Sequence, residues 1–236
     1  QGGMVYGYYG SATGPDVTTA SWEVTATEYD DGTIGQFGYV VAGLGDINGD
    51  RYDDVGVYDG EVSDTSDSDT SRLLVYLGSS TGLATTASWQ FDAPGDLENL
   101  GTQPVWLAGA DVNGDGYADM IVGNPDNGNG SILAFYGSAS GFRRLRADFR
   151  LVSRINNYFG SAVASAGDVN ADGYDDVIIG APSHTNSEDG EGMVAVYYGS
   201  STGLSASNKW QVESNVESAW LGGAVSSALD ANADGY

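Results

Sequence analysis

One nine-residue pattern limits what this chain can fold into, because it comes back at nearly even spacing. It reads DINGDRYDD from Asp46, DVNGDGYAD from Asp111 and DVNADGYDD from Asp168, and it begins again as DANADGY at Asp230. The first aspartates lie 65, 57 and 62 residues apart. A period near 60 means one structural unit repeated, each unit burying its apolar face against the next.

Other signals keep the same period. A tyrosine-glycine turn recurs as YYGSATG at Tyr8, VYLGSSTG at Val75, FYGSASG at Phe135 and YYGSSTG at Tyr197. An aromatic follows each turn: Trp22, Trp89, Phe149 and Trp210. Short runs rich in Val, Ile and Tyr, bounded by Gly, Asn, Asp and Ser, read as strands. Four fall in each unit: the step ahead of the acidic loop, the run after it, the run before the turn, and the run at the aromatic. The expected fold is all-β, a β-propeller of four-stranded antiparallel blades. The chain then holds three whole repeats and a fourth that is split across its ends and lacks an inner strand. The repeat pieces are roughly 1–35, 36–98, 99–157, 158–219 and 220–236 of a single propeller domain or propeller fragment. The four aromatics are expected in the core between blades. Since an open propeller exposes edge strands, a larger ring or a completing partner is expected. The chain opens on QGG rather than Met, as in a processed product or a piece of a longer chain.

The acidic loops carry the chemistry. In Asp168, Asn170, Asp172, Tyr174 and Asp176, the side chains at positions 1, 3, 5 and 9 and the carbonyl at position 7 can converge when the loop coils, as in the front half of an EF-hand loop. Three carboxylates, an amide and a carbonyl suit Ca2+ better than Mg2+, which demands tight octahedral geometry. No glutamate stands at position 12, so Asp176 must close the site. The same reading gives Asp46, Asn48, Asp50, Tyr52 and Asp54, and Asp111, Asn113, Asp115, Tyr117 and Asp119. Arg51 replaces the glycine of position 6, which strains the first loop. Asp230, Asn232, Asp234 and Tyr236 form an incomplete site without a closing aspartate. The bland alternative is a set of ion-free Asx-turns, but carboxylates this dense repel one another.

Charge sharpens the reading. The formal net charge is −25, and 25 of the 33 acidic residues are Asp. Nothing here could neutralise a nucleic-acid backbone, so no nucleic-acid partner is expected. No stretch is apolar enough to span a membrane. Of eight basic residues, five sit together: Arg143, Arg144, Arg146, Arg150 and Arg154. They either dock an acidic surface, such as another copy or an anionic glycan, or pair with aspartates inside the monomer. With no cysteine there is no disulfide framework. His184, the one histidine, reads as a loop residue. The GSSTG turns are not nucleophile elbows, so an enzyme is not expected.

The Phe159-Gly160 step, the DVNADGYDD loop and the Gly180-Ala181-Pro182 triplet resemble the FG-GAP repeat of integrin α-subunit propellers and their bacterial and archaeal relatives. The resemblance spans essentially the whole chain. Its departures are Tyr58-Asp59 where Ala-Pro is expected, Asn124 for Ala, and Leu100 and Leu221 for Phe. It implies a ring of usually seven blades, with structural calcium on one face. It also implies a secreted or cell-surface protein of adhesion or ligand binding. The expected function is thus a calcium-stabilised, non-catalytic extracellular propeller recognising a protein or glycan. The alternatives are a structural subunit that assembles with its own copies into a ring or filament and, more weakly, an accessory domain of a secreted polysaccharide-active enzyme.

Overall fold

A computed structural model describes residues 2–15, 17–26, 36–60, 71–92, 105–125, 130–143, 146–153 and 157–227. Every regular element among them is a strand. Blade one consists of β3 (Gln36–Gly45), β4 (Asp54–Gly60), β5 (Arg72–Tyr76) and β6 (Trp89–Asp92). Blade two consists of β7 (Trp106–Ala110), β8 (Asp119–Asn124), β9 (Ser131–Phe135) and β10 (Phe149–Val152). Blade three consists of β11 (Ala162–Gly167), β12 (Asp176–Ala181), β13 (Met193–Tyr197) and β14 (Lys209–Glu213). In each, the strands lie in chain order and pair antiparallel. A two-stranded sheet, β1 (Met4–Gly7) with β2 (Trp22–Thr25), carries the sequence of the third and fourth strands of a blade. The sequence expectation of four-stranded antiparallel blades therefore holds.

Strand composition follows position in the blade. The third strands β5, β9 and β13 are buried at every residue, and they read as continuous apolar runs such as SILAF and MVAVY. Both faces of β5 and β9 meet a neighbouring sheet, so alternation there would place polar groups in the core. The fourth strands lie at the rim, and β2, β6 and β10 alternate: β2, WEVT, points Trp22 and Val24 inward and Glu23 and Thr25 outward. The first strands are small-residue runs because they crowd together, β3 against β7 and β7 against β11. Gly109 of β7 shows why: a Cβ there would fall 2.0 Å from the Leu44 carbonyl oxygen of β3.

The core lies between blades, in clusters shared by adjacent sheets. Leu73 and Phe91 of blade one pack with Met120, Leu133 and Phe135 of blade two, and Ile121 and Ala134 of blade two pack with Ile179 and Ala195 of blade three. Trp22, 4% exposed, meets Tyr76 edge-on, and Trp89 meets Phe135 and Phe142 in the same way. Phe149 packs into the blade two–three cluster. Trp210 departs from the expectation of a buried aromatic. It is 50% exposed, because no following sheet lies against β14 among the described residues.

Strand pairing also corrects one detail of the repeat. Tyr58 and Asp59 pair with Leu73 and Arg72, as Gly180 and Ala181 pair with Val194 and Met193. They replace Gly-Ala, not Ala-Pro. The substituted Asp59 is buried and bonded to the Arg72 guanidinium on the facing strand, so a charge pair fills the place of a methyl group.

Candidate metal centres

The three acidic loops join the first and second strands of their blades and so lie at one end of the molecule. The backbone coils tightly in all three. Position 4 is left-handed at Gly49, Gly114 and Ala171, with φ of 75°, 67° and 57°. Position 6 is left-handed at Arg51, Gly116 and Gly173, with φ of 73°, 87° and 90°. Arg51 thus adopts the strained conformation expected of it. Ala171 does the same at position 4, a strain the sequence reading missed. Only the second loop has glycine at both places.

The coil turns amides inward onto the first aspartate. Asp46 Oδ1 accepts from the Gly49 and Asp50 amides at 2.6 and 3.0 Å, and Oδ2 from the Arg51 amide at 2.6 Å. Asp111 accepts from the Asp115 and Gly116 amides, and Asp168 from the Asp172 and Gly173 amides. The amide oxygens of Asn48, Asn113 and Asn170 each accept from the backbone two residues on, at 2.9 Å. Asp50, Asp115 and Asp172 accept in turn from the amides of Tyr52, Tyr117 and Tyr174. Positions 1, 3 and 5 are therefore ordered along one winding.

The ninth position does more than the sequence suggested. Asp54, Asp119 and Asp176 are fully buried. One oxygen of each accepts from the second residue of its own loop: Ile47 at 2.9 Å, Val112 at 3.0 Å and Val169 at 3.0 Å. The other accepts from the glycine of the third-to-fourth-strand turn: Gly78 at 2.7 Å, Gly137 at 2.9 Å and Gly199 at 2.9 Å. Each aspartate pins the acidic loop to the tyrosine-glycine turn of the same blade. The turn passes so close that a Cβ on Gly137 would lie 2.4 Å from the Ala118 carbonyl oxygen. This is why the two motifs recur together.

Burial pushes the Asp119 carboxyl up to about 8, against the pull of its two amide bonds, and Asp111 and Asp115 add to the rise. Burial likewise raises Asp54 and Asp176, with their own loop aspartates adding repulsion. A cation beside these groups reverses both effects. Three carboxylates, an amide and a carbonyl on one coil fit a hard divalent ion, and that ion is the charge that would offset the repulsion. None of the loops draws three carboxylates within 4.8 Å of one another, so binding calls for small rotations of Asp and Asn side chains.

The loops are also tied across blades. The Asp46 carbonyl accepts from the Ala118 amide and the Asp111 carbonyl from the Asp175 amide, at 2.9 and 3.0 Å. The Ile47 and Val112 carbonyls accept from Ser138 and Ser200 in the next blade's turn. Tyr9 and Tyr136 reach forward in the same sense. Their hydroxyls accept from the Leu83 and Leu204 amides, at 2.6 and 3.1 Å. One face of the molecule is thus a continuous hydrogen-bonded network.

The fourth loop, Asp230, Asn232, Asp234 and Tyr236, lies outside the described residues, as do Arg144 and Arg154. Arg143, Arg146 and Arg150 are exposed on the turn and outer strand of blade two. Among the described residues they form no ion pair, and Arg143 bonds the Ser140 hydroxyl.

The FG-GAP repeat profile matches residues 104–135 and 159–197, a large part of blades two and three. Integrin alpha-V of Gallus gallus is 32% identical over 145 residues, covering 55% of this chain and 14% of its own. Integrin alpha-7 of Homo sapiens is 34% identical over 136 residues, covering 55% and 11%. The chain thus spans about a seventh or less of the length of these relatives. Among solved structures, the rhamnogalacturonan lyase YesW superposes with a TM-score of 0.52 at 14% identity, over 82% of this chain and 37% of that one. The Bacillus licheniformis rhamnogalacturonan lyase PL11 gives 0.51, also at 14%, over 82% and 37%. At that identity the likeness is one of fold alone.

Proposed function

From the FG-GAP repeats that this chain shares with integrin α subunits, we propose that it is a calcium-stabilised extracellular binding domain that recognises a protein or glycan without catalysis. The observation that carries the reading is the network of acidic loops. Asp46, Asn48, Asp50, the Tyr52 carbonyl and Asp54 hold one calcium ion. Asp111, Asn113, Asp115, the Tyr117 carbonyl and Asp119 hold a second, and Asp168, Asn170, Asp172, the Tyr174 carbonyl and Asp176 a third. The ions neutralise buried carboxylates and stiffen a face already tied blade to blade. Their role is structural: a rigid base that lets the exposed loops present a ligand surface. Extracellular placement agrees with the integrin α relatives and with loops that need abundant calcium.

The exposed arginines Arg143, Arg146 and Arg150, joined in sequence by Arg144 and Arg154, are the part of the surface suited to a partner. In a chain of net charge −25 they form a local field of opposite sign, and the planar guanidinium matches carboxylate and sulfate groups. The test is retention on an immobilised sulfated glycan and on an acidic protein surface, in calcium, for wild type and the Arg143→Glu/Arg146→Glu/Arg150→Glu variant. Loss of retention in the variant supports the docking role. Equal retention of both removes it.

A second reading is favoured by Trp210. Its counterparts Trp22 and Trp89 pack on the next blade, whereas Trp210 is half exposed. A further blade laid on β14 would cover it, and where another copy supplies that blade the result is a ring or filament. The weaker reading, an accessory domain of a polysaccharide-active enzyme, has only the lyase-like fold behind it.

A further inference from the structure

At the end of blade three opposite the acidic loops, the β12–β13 connection folds back against the outer strand. It brings three side chains together that no repeat motif contains. His184 and Glu191 come from the connection and Glu213 from the end of β14. Their ligand atoms, an imidazole nitrogen and two carboxylate oxygens, all lie within 4.8 Å of one another. Glu191 is fully buried and His184 is 9% exposed. Neither ring nitrogen of His184 has a hydrogen-bond partner. Nε2 stands 3.3 Å from Glu213 Oε1 without hydrogen-bond geometry.

We propose that His184, Glu191 and Glu213 bind one divalent transition-metal ion of the zinc class, at a site separate from the calcium loops. A buried imidazole with both nitrogens unsatisfied is costly unless something accepts its lone pair. Two carboxylates beside it supply the negative charge a cation needs. The donor set of one nitrogen and two carboxylate oxygens favours zinc or its neighbours over calcium, which takes oxygen ligands. Zinc holds nitrogen and oxygen at about 2.0–2.2 Å, so tetrahedral ligands stand about 3.3–3.5 Å apart. The His184–Glu213 separation already meets that spacing.

The carboxylates are held by a shell of their own. The Asn186 amide donates to Glu191 Oε1 at 2.7 Å, while the Asn186 side chain donates to Glu213 Oε2 at 2.9 Å. The Ser187 amide also donates to Glu191 Oε1, at 3.2 Å. The Ser187 hydroxyl donates weakly to the other Glu191 oxygen, Oε2, at 3.3 Å, so Glu213 Oε1 faces the imidazole without a donor while Glu191 Oε2 would exchange that long bond for the ion, the kind of shell that orients metal-bound carboxylates. Three protein ligands leave a coordination position for water or a ligand. His184 also lines a groove of about 410 Å³ with Phe159, Met193, Tyr197, Lys209 and Gln211, which gives that position an approach from solvent. Bound metal would fasten the β12–β13 connection to β14.

The chain has one histidine and no cysteine, so the imidazole is an unambiguous reporter. The experiment is a zinc titration of the whole protein in excess calcium, followed by calorimetry and by long-range 1H–15N spectra of the imidazole. The expected result is one zinc bound, with the His184 nitrogen resonances moving to metal-bound values. His184→Gln should remove this binding, and Asn186→Ala should weaken it by about tenfold. Calcium-dependent melting should stay unchanged in both. Imidazole resonances that ignore zinc would overturn the proposal, even if zinc binds elsewhere. So would undiminished zinc binding by His184→Gln, or no zinc binding at all. The wild-type spectrum decides the matter if a variant fails to fold.

Discussion

Replacing Asp119 by alanine removes the acceptor of two buried amides at once, those of Val112 and Gly137. Each buried donor left unsatisfied costs about 2 kcal/mol, so the pair costs about 4 kcal/mol. In buffer above a pH of about 8, where the Asp119 carboxyl is ionised, relief of the repulsion from Asp111 and Asp115 returns about 1 kcal/mol, leaving a net loss of about 3 kcal/mol. For a chain of this length each kcal/mol moves the melting temperature by about 3 °C, so Asp119→Ala should melt about 9 °C below wild type. The assay is calorimetric melting in EGTA, where no ion contributes. Asp119→Asn keeps one acceptor oxygen and turns its NH2 toward the other donor, so it should fall between the two. If Asp119→Ala melts with wild type in EGTA and differs only in calcium, the pinning argument is refuted. The aspartate would then act through an ion alone.

Arg51→Gly relieves a left-handed arginine and should raise stability by about 1 kcal/mol, read by denaturant melts; Gly116→Ala should lower it by a similar amount. Trp22→Ala should cost about 4 kcal/mol, as for a buried aromatic, whereas Trp210→Ala should change stability by under about 0.5 kcal/mol. Equal losses at the two would show that β14 is covered in solution. The raised Asp119 carboxyl fixes a pH dependence in EGTA. Its contribution is fully present below the unfolded carboxylate value, about 4, and is lost as pH rises through about 8. The ion-free protein should therefore melt progressively lower across that window, and calcium should flatten the slope.

Much of this was legible in the residues. Strand order within each blade could be read because every strand is short, apolar and bounded by glycine, asparagine or aspartate. The strain at Arg51 could be read because position 6 carries glycine in the second and third loops. Ala171 was missed because alanine gives no sign of the left-handed conformation it adopts. The second hydrogen bond of Asp119 was missed because its partner Gly137 lies 18 residues on, past β8, β9 and the connection between them. The tyrosine-glycine turns looked like local turn chemistry. Part of their conservation within the chain comes instead from the next blade: the Tyr136 ring lies against Gly203, where a Cβ would sit 1.9 Å from its hydroxyl. The gathering of His184, Glu191 and Glu213 has no periodic signal, since no other repeat carries it. The exposure of Trp210 depends on what lies beyond β14, which local sequence does not encode.

The central claim is that the acidic loops are calcium centres that stabilise the propeller. Calorimetric melting with calcium, with magnesium and with EGTA, with light scattering on the same samples, tests it most directly. A large rise in melting temperature with calcium and little with magnesium is predicted, diminished when Asp46, Asp111 and Asp168 are changed to Asn. Identical melting in all three conditions would contradict the account, and the loops would then be ion-free turns in an acidic protein.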